Sequence, residues 1–142
     1  MKKFLSFFAF LVFFTININA QNSVASDTLP ILQFDKIEHD FGKIKEGTLA
    51  IHPFEFTNKG KSPLVITNVI ASCGCTTPEW SKEPIAPGAK GLIKAAFNSY
   101  GRPGQFHKTI TVISNAGANV VLSIKGDVLL NTQEPVSPVR NN

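Results

Sequence analysis

The residues whose types and spacing suit chemistry lie together in this chain, in Ser72-Cys-Gly-Cys-Thr76, with the only tryptophan following at Trp80. Cys73 and Cys75 are its two cysteines, separated by one glycine. Four chemistries suit such a pair. In an oxidising compartment, two cysteines in one exported chain default to a disulfide. Alpha carbons two positions apart on an extended strand lie about 6.5–7 Å apart, at the upper limit for bridging, so the bond requires a tight turn, which Gly74 permits. A bridge across one residue is strained and therefore easier to reduce, and it adds little stability. Alternatively, the thiols stay reduced and cap the end of a strand as small hydrophobes. A third reading is a soft-metal grip, with His39, His52 and His107 as the remaining candidate ligands. A closed zinc site wants four ligands, however, and no Cys-x₂-Cys or His-x₃-His spacing accompanies the pair. The fourth is thiol–disulfide exchange. That needs a thiolate favoured by a helix N-terminus or a close positive charge, whereas Glu79 and Lys82 downstream largely offset each other. The residues leave these four open.

Other candidate contacts are sparse. Trp80 reads as a side chain that folds over the cysteine loop or packs on a sheet rim, with ligand stacking the less common use. Arg102, in Gly101-Arg-Pro-Gly104, suits an anion cradle, although a solvated turn arginine is the commoner case. No Ser-His-Asp arrangement, paired carboxylates, phosphate-binding glycine loop or metalloprotease motif is legible. The expectation is a non-enzymatic protein with no cofactor and no resident metal.

The elements that must position these residues read as strands. Beyond residue 20 no stretch carries helical apolar spacing over three turns. Short apolar runs are instead punctuated every eight to twelve residues by Gly, Pro and Asn, the pattern of a sandwich or barrel. Ile31–Phe34 and Glu38–Ile44 read as a broken first strand. Thr48–Thr57 follows, its apolar positions Leu49 and Ile51 changing phase to Phe54 and Phe56. Pro53 sits at the break, which predicts a bulge at His52-Pro53. Leu64–Ile70 is apolar nearly throughout and predicts a central strand leading into the cysteine motif. Ile93, Ala95 and Phe97 alternate inward, as do Phe106, Ile110 and Val112, which leaves Lys108 to lie near a sheet end. Asn115–Ala118 has hairpin chemistry, and Val120, Leu122 and Ile124 alternate in a last strand ending near Leu130. The expected fold is an all-β, immunoglobulin-like antiparallel sandwich of about seven strands over residues 31–130. Cys-Trp-Cys spacing of antibody type is missing, so apolar packing must hold the sheets.

The ends read differently. Two lysines, about thirteen mostly apolar residues and a small residue at Ala20 match a secretory signal peptide over residues 1–20. A transmembrane anchor would want about twenty apolar residues, and Asn17 and Asn19 interrupt the run. Residues 21–30 read as a loose N-terminal segment and 131–142 as a polar, disordered tail. Cleavage leaves 122 residues, and loss of Lys2 and Lys3 leaves twelve cations against ten carboxylates, a net charge of +2. The lysines are dispersed, which argues against nucleic acid as partner and against membrane insertion after cleavage. The protein is expected to be exported, periplasmic or secreted, and to bind an envelope protein or extended peptide.

Phe54-Glu-Phe-Thr-Asn-Lys-Gly60, Pro63-Leu-Val-Ile66, Ser72-Cys-Gly-Cys-Thr76, Pro87-Gly88 and Gly104-Gln-Phe-His-Lys-Thr-Ile-Thr-Val112 with Ser114-Asn115 resemble one family. It is the bacterial, exported immunoglobulin-like domain family of unknown function marked by the Ser-Cys-Gly-Cys-Thr motif, itself similar to PapD-like and Hydin-type sandwich domains. The resemblance covers residues 31–127. It implies a sandwich fold and export, and brings no catalytic role.

Overall fold

Alternating burial divides the described residues into eight strands. They are β1 (Leu32–Phe34), β2 (Glu38–Lys45), β3 (Leu49–Asn58), β4 (Ile66–Ala71), β5 (Thr76–Trp80), β6 (Lys90–Asn98), β7 (Gly104–Ser114) and β8 (Val120–Leu129). This computed structural model describes residues 28–130; the leader read at 1–20, the segment 21–27 and the tail 131–142 lie outside the described residues. Two four-stranded sheets form, ordered β1-β3-β6-β5 and β2-β8-β7-β4. That division matches the constant-type immunoglobulin sandwich, with the second half of the broken first strand added beside the last. β2 pairs with β8 in parallel, and every other ladder is antiparallel. Among the described residues no helix is long and apolar enough to cross a membrane.

Side chains pointing between the sheets make one core. Ile93, Ala95 and Phe97 from β6, Ile110 and Val112 from β7, and Leu122 and Ile124 from β8 are fully buried, as their alternation predicts. Phe97 and Phe106 stack across the sheets with ring centroids 4.0 Å apart, and Phe34 leans on Phe56 at 5.3 Å. Burying each such side chain stabilises the fold by about 1.5–3 kcal/mol. The edge of the core at β3 and β4 is closed by Leu64, which bridges to Ile85 by reciprocal backbone bonds of 2.9 and 2.8 Å. Of the segment read as loose, residues 28–30 are described, and the Leu29 carbonyl accepts from Lys61 N–H at 3.3 Å.

Four expectations require correction. The bulge at His52-Pro53 is absent: His52, Pro53 and Phe54 face Ala95, Lys94 and Ile93 in unbroken register. The inward positions of β3 are Ala50, His52, Phe54 and Phe56, while Leu49 and Ile51 point outward, so no phase change needs absorbing. A bulge falls instead in β2, where Phe41 and Gly42 together oppose Gly126, and Gly42 takes a positive φ of 62°. The apolar run after Leu64 builds β4, an edge strand and not a central one. Leu64 itself is covered by the Ile85 segment, which is why apolar composition misled. Lys108 lies mid-strand in β7 opposite Ile124, half-buried, a position its apolar stem tolerates. Finally, Thr76–Trp80, not read as a strand, forms one of its own; with it the described residues hold eight strands, in keeping with the expected sandwich of about seven.

Candidate functional site

β4 ends one edge of its sheet and β5 ends the edge of the other, so residues 72–75 carry the chain across the open side of the sandwich. Both flanks are anchored. Ser72 N–H donates to the Thr109 carbonyl at 2.9 Å, and Thr109 N–H donates to Ser72 Oγ at 3.1 Å. Past the corner, Asn98 N–H donates to the Cys75 carbonyl at 3.0 Å, joining the corner to β6. Thr76 N–H turns back to the Cys73 carbonyl at 3.3 Å, which tightens the crossing.

This turn draws the two cysteine Cα atoms to 5.2 Å, inside the bridging range, and the sulfurs pair as a disulfide. A loop this short adds well under the ~3 kcal/mol of chain entropy expected for a loop of about fifteen residues. Cys75 is 8 % exposed and belongs to the core, whereas Cys73 packs against it half-buried. The Thr76 hydroxyl lies 3.8 Å from Cys73 Sγ and 4.0 Å from Cys75 Sγ. The sequence reading did not single out Thr76. Its signal was available, since a hydroxyl directly after a cysteine pair can donate to either sulfur.

Trp80 closes β5 opposite Ile93 and packs half-buried against the core. The Lys82 ammonium sits 3.2 Å from its ring centroid, and the indole Nε1 is buried without a hydrogen-bond partner among the described residues. Trp80 borders an open trough of 610 Å³ that Leu92, Glu55, Glu79, Lys90 and Lys94 also line. Lys94 and Glu79, both in its lining, form an ion pair of 2.7 Å. Arg102 is occupied by its own loop, its Nη1 donating to the Tyr100 carbonyl at 2.7 Å and the Asn98 carbonyl at 3.3 Å. It therefore acts as a loop staple.

The three histidines do not gather at the sulfurs. His39 from β2 and His52 from β3 stack face to face across the opposite side of the sandwich, centroids 3.6 Å apart and planes 7° apart. Phe41 packs edge-on to His39 and to His52, and Phe54 edge-on to His52. Burial pushes the His52 imidazole below its ordinary value, with the nearby His39 and Lys36 charges acting in the same direction. His107 is exposed on β7. Among the described residues, no group of three or more His, Cys, Asp or Glu side chains is placed to hold a metal.

A second opening lies beside the stacked histidines. The β1 ladder on β3 ends at Phe34 opposite Phe56, after which the chain crosses to the other sheet. Among the described residues, β3 consequently has no strand neighbour on that side from Leu49 to Pro53. Asp35 N–H donates to the Glu55 carbonyl at 3.1 Å, so by alternation Pro53, Ile51 and Leu49 point their backbone groups to the same open side. Leu49 is 58 % exposed and Ile51 46 %, an apolar pair beside an unpaired edge.

A model of the family described as proteins of unknown function, DUF1573, matches residues 32–128. The chain belongs to this family. The match takes in all of the described residues except 28–31 and 129–130, so the cysteine corner and the open edge both lie within the family domain. No curated protein matches the chain. Among solved structures, a protein of unknown function from Porphyromonas gingivalis W83 aligns with a TM-score of 0.63 and 16 % identity, over 76 % of this chain and 51 % of that one. The ASH/PapD-like domain of human CEP192 aligns with a TM-score of 0.60 and 8 % identity, over 70 % and 85 %. The YadV chaperone aligns with a TM-score of 0.50 and 12 % identity, over 68 % and 51 %. The chain thus spans about half the length of the Porphyromonas protein. At these identities the likeness is one of fold.

Proposed function

We propose that this domain is an exported, non-enzymatic binding or scaffolding module that accepts an extended segment of an envelope protein along β3. The observation that carries this reading is the unpaired stretch Leu49–Pro53. Leu49 and Ile51 each present N–H and C=O to the open side, and Pro53 presents its C=O. An added strand satisfies such groups, and apolar side chains at alternate positions of the guest would pack beside Leu49 and Ile51. The outer edges of the sheets are blunted by comparison. β5 carries Pro78, β4 shifts register between Ile66 and Asn68, β2 is bulged at Gly42, and β1 is three residues long. Such devices guard an edge against pairing, and the β3 stretch lacks them until Pro53. Likeness to a chaperone and to a PapD-like domain supports a sandwich that works by contact, at the level of fold.

The test is a crosslinking survey of envelope fractions with the wild-type domain and with Ile51→Pro, which removes a donor from the open edge. Amide hydrogen exchange is followed at Leu49 and Ile51. The expected result is a captured protein that slows exchange at both amides and is lost with Ile51→Pro. A survey that recovers no partner, or a partner bound equally by Ile51→Pro, refutes the reading.

A further inference from the structure

Ten glycines occur in the chain, and nine have a plain structural reason. Six adopt positive φ, and at Gly60, Gly91 and Gly126 an added Cβ would collide with backbone or an aromatic ring. Gly74 has neither reason: its φ is not in the left-handed region, and a Cβ built there meets nothing within 4 Å other than its chain neighbours Cys73 and Cys75. A side chain at this position would stand between the two cysteines. Gly74 is exposed and Cys73 half-buried, so the corner meets solvent at its tip.

We infer that Cys73–Cys75 is a reversible two-electron couple that exchanges with a dithiol, with Gly74 keeping the approach clear and Thr76 donating to the departing thiolate. The attacked sulfur is that of Cys73, since Cys75 is buried in the core. One thiolate of the dithiol bonds to Cys73 Sγ while the Cys73–Cys75 bond breaks, and its electron pair leaves on Cys75 Sγ. There the Thr76 hydroxyl, 4.0 Å away, turns its proton toward the new charge. The dithiol's second thiolate then attacks its own sulfur in the mixed disulfide and releases Cys73 as a thiolate. The dithiol is oxidised to a disulfide, the cysteine pair gains two electrons, and two protons from solvent replace those the dithiol lost. The fold does not depend on the bond. The Ser72–Thr109 pair, the Asn98–Cys75 bond and the five-residue ladder of β5 on β6 hold the corner without it. The inference is independent of strand addition at β3, on the opposite side of the sandwich.

The full chain is treated with dithiothreitol at neutral pH, trapped by alkylation over time, and weighed intact. Circular dichroism is recorded in parallel. The wild type is expected to reduce completely without denaturant while its spectrum holds, and to re-form the bond with oxidised dithiothreitol. Gly74→Ala and Gly74→Val are expected to oxidise fully yet reduce progressively more slowly, the valine by about tenfold, because exchange depends on access. Thr76→Val is expected to slow reduction by about fivefold, the worth of one hydrogen bond to the leaving sulfur. Three results overturn the proposal: reduction that requires unfolding, glycine variants that reduce at the wild-type rate, or both glycine variants failing to oxidise. The last would assign Gly74 to ring closure alone.

Discussion

Asn58 is the test of how the non-strand half of this domain is held. It is fully buried at the end of β3, yet its amide reaches four partners in three chain segments. Nδ2 donates to the Ser62 carbonyl at 2.8 Å and the Ile85 carbonyl at 2.9 Å. Oδ1 accepts from Gly60 N–H at 3.0 Å and Ile31 N–H at 3.3 Å. Asn58→Ala strands the Gly60 and Ile31 N–H donors and the Ser62 carbonyl, all part-buried, while the Ile85 carbonyl keeps Leu64 N–H as a partner. Each such group costs about 1–3 kcal/mol when unpaired, but the exposed turn at Gly60–Ser62 can relax toward water, so about 3–5 kcal/mol in all is expected. That is a large share of the ~5–15 kcal/mol available to a domain, and it corresponds to a fall in Tm of about 15–30 °C. Asn58→Asp is expected to cost at least as much, because a carboxylate would then face the Ser62 and Ile85 carbonyls. Urea titration followed by tryptophan fluorescence measures both. A loss below about 1 kcal/mol for Asn58→Ala would show that water replaces the amide, and would refute the reasoning.

The remaining predictions concern packing and protonation. Gly91→Ala would bring a methyl to 2.9 Å from Phe56 Cε2 on the neighbouring strand, and is expected to destabilise the domain by about 1–3 kcal/mol in the same titration. Gly74→Ala serves as its control, with a change within about 0.5 kcal/mol. His52 is held below the ordinary imidazole value, so the unfolded chain takes up its proton first as pH falls. Its contribution to stability is therefore complete above the ordinary value of 6.5 and is lost as pH drops through the folded value. Urea midpoints compared at about pH 7.5 and pH 5.5 are expected to fall toward acid, with a shallower fall for His52→Phe, which keeps the stack and removes the proton. A steeper fall for the phenylalanine variant would refute the assignment.

Strands whose inner faces meet the centre of the opposing sheet were legible, because alternation there is enforced by complete burial on one side. Ile93, Ala95 and Phe97 are such a set. At the sandwich margins the rule weakens. Ala50 and His52 turn inward while the larger, more apolar Leu49 and Ile51 face out, since room beside the stacked His39 ring suits an imidazole. β5 escaped notice because Thr76-Thr-Pro-Glu-Trp80 has no apolar alternation, and its strand form is imposed by pairing with β6. The cysteine pair stood out at once, but whether a turn brings the sulfurs together depends on backbone bonds from Asn98 and Thr109, which lie about twenty and thirty-five residues along the chain. Asn58 reads as an ordinary turn residue for the same reason.

Both features proposed to act arise where the chain leaves one sheet for the other. At Asp35–Ile37 the first strand departs from β3 before that strand is fully covered, and the uncovered remainder is the open edge. At Ser72–Cys75 the chain crosses on the opposite side, and there the sulfurs sit. Crossings are the places in a sandwich where ladder bonds must stop, so backbone groups and side chains become accessible without loss of core. Altering a crossing should therefore change contact or exchange at small cost in stability, whereas altering Phe97 or Ile93 should do the reverse. Phe97→Ala is expected to cost about 3–5 kcal/mol, and Ile51→Lys less than about 0.5 kcal/mol, in urea titration. Comparable costs for the two would mean that the β3 edge is part of the fold's support and not a surface free to bind.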